Sequence, residues 1–187
     1  MKKYQIIYAD PPWEYNSQEK AKGGDKSKKF RGTTYGHYQY LSLEQLKSLQ
    51  IPSISDENCA LFLWITFPLL PFAFEIFNSW GFRYRSIGFN WIKTNRKNSK
   101  PFFGIGHYTK SNAELCLLAI KGRLLVKSNK VSSIVISPRE EHSKKPDIIK
   151  TKIIELFGDL PRIELFARKK SPGWDVWGNE VESNIKL

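Results

Sequence analysis

Apolar residues along this chain fall into short blocks separated by Pro, Gly and charged residues, and the spacing within each block predicts its conformation. Tyr4 to Ala9 is an apolar run halted by Asp10-Pro11-Pro12, residues that cannot extend a strand ladder. It predicts a buried strand with a carboxylate at its C-terminal end. Ala60 to Ile65 (ALFLWI) predicts a second buried strand, and Pro68 to Trp80 carries apolar residues on helical spacing before Gly81 ends it. Further strands are expected at Tyr84 to Trp91, Glu114 to Gly122, Val131 to Ile136 and Arg162 to Phe166, with a helix opened by Pro146 and running to Phe157. Ser42 and Gln45 make a capping box ahead of Leu43, Leu46 and Leu49, a short amphipathic helix whose pattern stops at Pro52. Strand alternating with helix predicts an α/β sandwich of three layers, its mostly parallel sheet ending in an antiparallel edge.

Two polar segments interrupt these blocks. Ser17 to Arg31 holds six basic against two acidic side chains, two glycines and no apolar period, which predicts a mobile basic loop. Lys93 to Lys110 is a second basic connection, with Arg96, Lys97 and Lys100 between its ends. There is no internal repeat and no linker, so residues 1–187 are expected to form one domain in which catalysis and recognition share one body.

Charge narrows the partner. Thirty Lys and Arg against eighteen Asp and Glu leave a formal charge of +12, which suits a polyanion or an anionic surface, although a basic surface can also serve solubility alone. Cys59 and Cys116 lie inside apolar runs with no CxxC spacing and read as buried thiols, so neither a disulfide framework nor a zinc site is expected. The apolar stretch near the start is too short for a signal segment and no run is long enough for a membrane helix. A soluble, unexported, cytoplasmic protein without a membrane partner is the expectation.

Asp10-Pro11-Pro12-Trp13 carries the most chemistry. The exocyclic amine of adenine is a poor nucleophile because its lone pair is delocalised into the ring, so an enzyme gains by accepting its N–H hydrogens as positive charge develops. Asp10 and the Pro11 carbonyl suit that task, the two prolines hold the carbonyl without backbone competition, and Trp13 offers a ring on which a base can stack. By spacing alone, the tetrapeptide is equally a structural strand-to-turn ending.

Further segments in fixed order add to it: HYQYLSLEQLKSLQIP from His37, LFLWIT from Leu61, WGFRYRSIGFNWIKTN from Trp80, GIGHYTKSNAELCLLAIKG from Gly104, REEHSKKPDII from Arg139 and IELFARKKSPGWDVWGNE from Ile163. With YADPPWEY from Tyr8, these segments resemble, over nearly the whole chain, the MT-A seventy-type N6-adenine methyltransferases, the family of the eukaryotic messenger-RNA N6-adenosine enzyme and its small bacterial and phage relatives. The order is similar to the permuted, β-type arrangement in which the catalytic strand comes first and the cofactor-binding strand last. This accounts for the absence of a Gly-rich fingerprint after the first strand.

The resemblance implies a Rossmann-like fold, S-adenosylmethionine as cofactor, no metal, and a catalytic role for Asp10, Pro11, Pro12 and Trp13. It implies cofactor contacts from Ala9, Asp10, Lys93, His142, Phe166, Arg168, Asn179 and Glu180. Nucleic-acid contacts are expected from Trp13, Tyr15, Tyr38, Lys26, Lys28, Lys29, Arg96 and Lys97, with plain packing an equal alternative for Tyr38. The shortness of the chain resembles the bacterial and phage members, which favours DNA over RNA as substrate. RNA N6-adenosine, cytosine N4, and a non-catalytic nucleic-acid-binding subunit are the alternatives. A homodimer would widen the footprint, but no interface is readable from the sequence.

Overall fold

The computed structural model describes residues 2–14, 40–104, 108–140 and 144–187. Seven strands form one sheet: β1 (Tyr4–Ala9), β2 (Ser55–Ile65), β3 (Arg83–Thr94), β4 (Ala113–Lys121), β5 (Ile134–Pro138), β6 (Arg162–Leu165) and β7 (Asp175–Trp177), in the order β5-β3-β4-β2-β1-β6-β7. The helices are α1 (Leu43–Ser48), α2 (Ile51–Ile54), α3 (Leu70–Trp80) and α4 (Ile148–Phe157). None is long and apolar enough to cross a membrane.

Successive side chains of a strand point to opposite faces, and here both faces are covered. Ile7, Leu61, Leu63, Leu117 and Leu165 pack with α1, α2 and α3, whereas Ile6, Tyr8, Phe62, Trp64 and Cys116 pack with α4. The expected three layers therefore form, and the central strands β1, β2 and β4 read as apolar runs because both their faces are covered, whereas the first half of β3 and alternate residues of β5 are exposed. Helix α3 buries Ala73, Ile76, Phe77 and Trp80, the i, i+3, i+4, i+7 stripe of a core-facing helix, and Gly81 closes it at φ 77°. The Trp80 indole donates to the carbonyl of Leu46 at 2.9 Å and ties α3 to α1. Truncating that fully buried ring to Ala would cost about 3–5 kcal/mol. The capping box at Ser42 forms as its spacing predicts, but Pro52 does not end the helical region: it sits in the first turn of α2, where its missing N–H is not needed.

One expectation fails. The antiparallel strand is not at an edge: β4 pairs with β2 on one side and β3 on the other, opposed to both, while the other six strands run one way. Composition explains the placement. Cys116 and Ala119 are fully buried on opposite faces of β4, and an edge position would expose such a strand. The edge goes instead to β5, whose Ile134 and Ile136 stay exposed and whose last residue, Pro138, has no N–H to offer. Cys59 and Cys116 are buried free thiols, as their apolar surroundings predict.

Candidate active site

Because β4 runs backwards, its first residues share an edge of the sheet with the C-terminal ends of β1, β2, β3, β6 and β7. Functional side chains from distant parts of the sequence gather along that edge. Asp10 follows β1, Glu114 opens β4, Lys93 lies near the end of β3, and Lys145 comes from the connection between β5 and α4.

These four residues form one alternating chain of charge. The Lys145 ammonium lies 2.8 Å from Asp10 Oδ2 and 3.4 Å from Glu114 Oε2, and Lys93 donates to the other Glu114 oxygen. Trp64 lies beneath the Lys145 ammonium and Trp91 beneath that of Lys93, with 5.5 and 5.0 Å to the ring centres, so the cations also face π-density. Lys145 keeps 13% of its side chain exposed, whereas Asp10 keeps 31%, and the opening lies on the Asp10 side.

Desolvation pushes the Asp10 carboxyl above the usual aspartate range despite Lys145 beside it. Burial also acts against ionised Glu114, but Lys145 and Lys93 together outweigh it and hold that carboxyl below its ordinary value. For Lys145 burial disfavours the charge, yet Asp10 and Glu114 outweigh it and hold the ammonium above the usual lysine range. Glu114 is therefore a fixed anion, Lys145 a fixed cation, and Asp10 the more basic of the two carboxylates. Lys145 occupies Oδ2 of Asp10, and among the described residues no hydrogen bond reaches Oδ1.

The other three residues of the tetrapeptide are held by backbone and core contacts. The Pro11 carbonyl accepts the Trp13 N–H at 2.9 Å, so one of its lone pairs does meet backbone competition, and the Pro12 carbonyl accepts the Leu41 N–H at 2.9 Å. Trp13 was expected to give its ring to a base, but most of that ring goes to the core: the residue is 8% exposed and its Nε1 donates to the Trp64 carbonyl at 3.1 Å. The second half of the tetrapeptide is thus pinned twice, to β2 through Trp13 and to the residue before the α1 cap, Leu41, through Pro12. A cleft of about 290 Å³ opens beside it, lined by Trp13, Leu41, Leu69 and Phe72 among others.

The neighbouring strands supply the remaining edge. Ala9, Leu165 and Trp177 are in register, which brings Asp10, Phe166 and Gly178 level with one another. Phe166 turns the chain at φ 60°, in the left-handed region that a residue with a side chain seldom adopts, and its ring meets Trp177 edge-on at 5.3 Å. A Cβ on Gly178 would lie 2.3 Å from the Ala167 carbonyl oxygen, so only glycine allows these two turns to touch. Beyond them Arg168 pairs with Glu180 at 3.5 Å, and Asn179 is exposed between.

Arg96 and Lys97 lie on an exposed turn past β3, where Arg96 Nε donates to the Arg139 carbonyl at 2.8 Å. Tyr15, Lys26, Lys28, Lys29, Tyr38 and His142 lie outside the described residues, as does the whole of the expected basic loop Ser17 to Arg31. The sequence placed Lys93 and, through the family resemblance, the HSKKP segment from His142 to Pro146 beside the cofactor, but it singled out His142 there and not Lys145, and it gave Glu114 no role. The signal for Glu114 was there, since an acid opening an otherwise apolar strand must be paired once buried. Lys145, within HSKKP, offered only its position before a helix.

The MT-A70 family model matches residues 4–180 of the chain. The chain belongs to that family. It is 35% identical to the type II methyltransferase M.MunI of a Mycoplasma species, over 98% of the chain and 80% of the relative. To the human N(6)-adenine-specific methyltransferase METTL4 and the human N(6)-adenosine-methyltransferase catalytic subunit METTL3 it is 28% identical, over 96% of the chain in each case. The chain spans only 38% and 28% of the length of those two human MT-A70 relatives.

Proposed function

We propose that this MT-A70 protein transfers a methyl group from S-adenosylmethionine to the N6 amino group of adenine in DNA. What carries the reading is Asp10, a desolvated carboxylate whose Oδ2 is held by Lys145 and whose Oδ1 has no hydrogen bond among the described residues, at the edge it shares with Lys93 and Glu114.

The groups present suit the cofactor. Its amino-acid end needs partners of both signs and its ribose needs acceptors, and Lys93, Arg168, Asn179 and Glu180 offer these, with the close approach at Gly178 keeping their turns together. When bound, the cofactor supplies the electrophilic methyl carbon. The protein must then orient the amine and stabilise the charge that develops on it. Asp10 Oδ1 accepts one amino hydrogen as the nitrogen becomes positive, and the free lone pair of the Pro11 carbonyl accepts the other. Lys145 keeps Asp10 in one orientation and ionised. The proton shed by the methylated amine leaves easily, and the raised basicity of Asp10 makes its Oδ1 a competent first acceptor. Trp13 holds the backbone of the tetrapeptide in place, so that a base extruded from its strand meets acceptors already aligned.

DNA is favoured over RNA by the greater likeness to M.MunI than to the N(6)-adenosine enzyme. The deciding experiment offers labelled S-adenosylmethionine with matched DNA and RNA, single- and double-stranded, and identifies the modified nucleoside by mass. N6-methyladenine in DNA is the expected product. Its appearance only in RNA would transfer the reading to that substrate. Absence of both transfer and cofactor binding would leave a nucleic-acid-binding subunit.

A further inference from the structure

Strands β3 and β4 are joined by residues 95–112, which leave the sheet at the edge where Lys93 and Glu114 sit. The first part of this connection is built firmly. Asn95 accepts the Ser99 N–H at 3.1 Å and donates its own N–H to the Lys100 carbonyl at 2.9 Å, and Phe102 N–H returns to the Lys93 carbonyl at 2.8 Å. Gly104 and Ser111 then bridge antiparallel. On this frame stand large rings that the core does not use. Phe102 lies under the Arg139 guanidinium at 3.8 Å, Phe103 is 56% exposed with the Lys110 ammonium 5.5 Å from its centre, and Tyr108 is wholly exposed.

Residues 95–112 carry Arg96, Lys97, Lys100 and Lys110 and no acidic side chain. Such a surface attracts phosphate, while the rings among the cations offer what phosphate contacts lack, a flat apolar face for a base. A single surface aromatic needs no explanation, but two exposed rings on one basic hairpin, which leaves the sheet at the edge bearing Lys93 and Glu114, call for one.

We infer that Phe103 and Tyr108 stack on nucleobases flanking the target adenine, filling or propping the strand where that adenine has been turned out. The inference rests on the nucleic-acid substrate proposed above. It assigns two jobs within one hairpin: the lysines and arginine supply salt-dependent attraction, and the rings supply a hold that salt does not weaken.

The test compares the Phe103→Ala/Tyr108→Ala protein with Lys97→Ala/Lys100→Ala/Lys110→Ala, measuring binding to randomised DNA and RNA oligonucleotides over a salt series, alongside methyl transfer and sedimentation. Removing the rings should weaken binding about tenfold or more at every salt concentration with the salt slope unchanged. Removing the lysines should instead flatten the slope by roughly one unit for each phosphate that is no longer neutralised. Phe103→Trp/Tyr108→Phe should bind as the parent does. If the parent methylates nucleic acid and the ring-deleted protein binds as tightly, the stacking role is refuted and the catalytic reading stands. If the parent neither binds nor methylates any of these oligonucleotides, both fall. A ring deletion that leaves binding intact but converts a dimer to a monomer would reassign the patch to contact between copies of this chain.

Discussion

The edge of the sheet that bears the site has two halves of opposite character. Around Asp10 the charged groups are enclosed and already paired, Lys145 to both Asp10 and Glu114, and Glu114 to Lys93. Around Phe166 and Gly178 the backbone is tightly constrained, but the polar side chains stand at the surface: Arg168 and Glu180 keep 36% and 49% of their side chains exposed. The first half has its electrostatics arranged before any ligand arrives, at a desolvation cost met within the protein. The second half fixes its backbone and leaves its side chains in water, ready to exchange one partner for another. Enclosed, paired charge and exposed, loosely paired charge thus sit side by side on strands in register.

The sharpest break of that contrast is Asp10→Ala. Methyl transfer should fall by at least about 100- to 1000-fold in single turnover, while calorimetric cofactor binding is largely kept. Retained transfer would remove Asp10 from its assigned role. Lys145→Met comes next: it leaves Asp10 and Glu114 facing each other without their shared cation, and should lower unfolding free energy in a denaturant titration by about 3 kcal/mol. A change near zero would mean that the enclosed half is not built on this ion pair.

Acidification should separate two events. Asp10 is held above the usual range, so it takes up a proton and ceases to accept the amine at a higher pH than an ordinary aspartate would. That uptake costs activity and not stability, because the folded state is the one that binds this proton more readily. Glu114 is held low, so its stabilising contribution is complete at neutral pH and is lost only as the pH falls through its depressed pKa. Activity should therefore disappear before the fold does. Coincident loss, followed by transfer rate and circular dichroism, would contradict the assignment. The smallest effect on stability is expected for Arg168→Ala, within about 0.5 kcal/mol because the pair with Glu180 is exposed, whereas cofactor affinity should still weaken. If it destabilises as much as Lys145→Met, the two halves are not different in kind.

The contrast also marks what the sequence could disclose. Strand and helix blocks were legible because burial on both faces writes itself as uninterrupted apolar runs, and Asp10 was legible because two prolines stop its strand. The reversed strand was harder to place: ELCLLAI predicts a strand, but its position in the sheet depends on its being apolar on both faces at once, a property that shows only against the exposed Ile134 and Ile136 of its competitor for the edge. Lys145 was invisible for a similar reason. Lysines are common at helix entrances, and nothing local distinguishes Lys145 from Lys144, which pairs with Asp147 at 3.3 Å on the outer surface. One position in the chain separates a cation bound to the candidate catalytic acid from one facing solvent. The anchoring of Trp13 was equally hidden, since nothing in the sequence shows that its indole N–H meets the Trp64 carbonyl in the core.

The reversed strand has an evolutionary corollary. A connection whose two ends return to the same side of a sheet can be lengthened, shortened or rewritten without re-registering any strand, because both anchor points, Lys93 and Glu114, stay where they are. If the β3–β4 hairpin holds nucleic acid as proposed, its contacts can be exchanged while the charged cluster of Asp10, Lys145, Glu114 and Lys93 behind it stays in place.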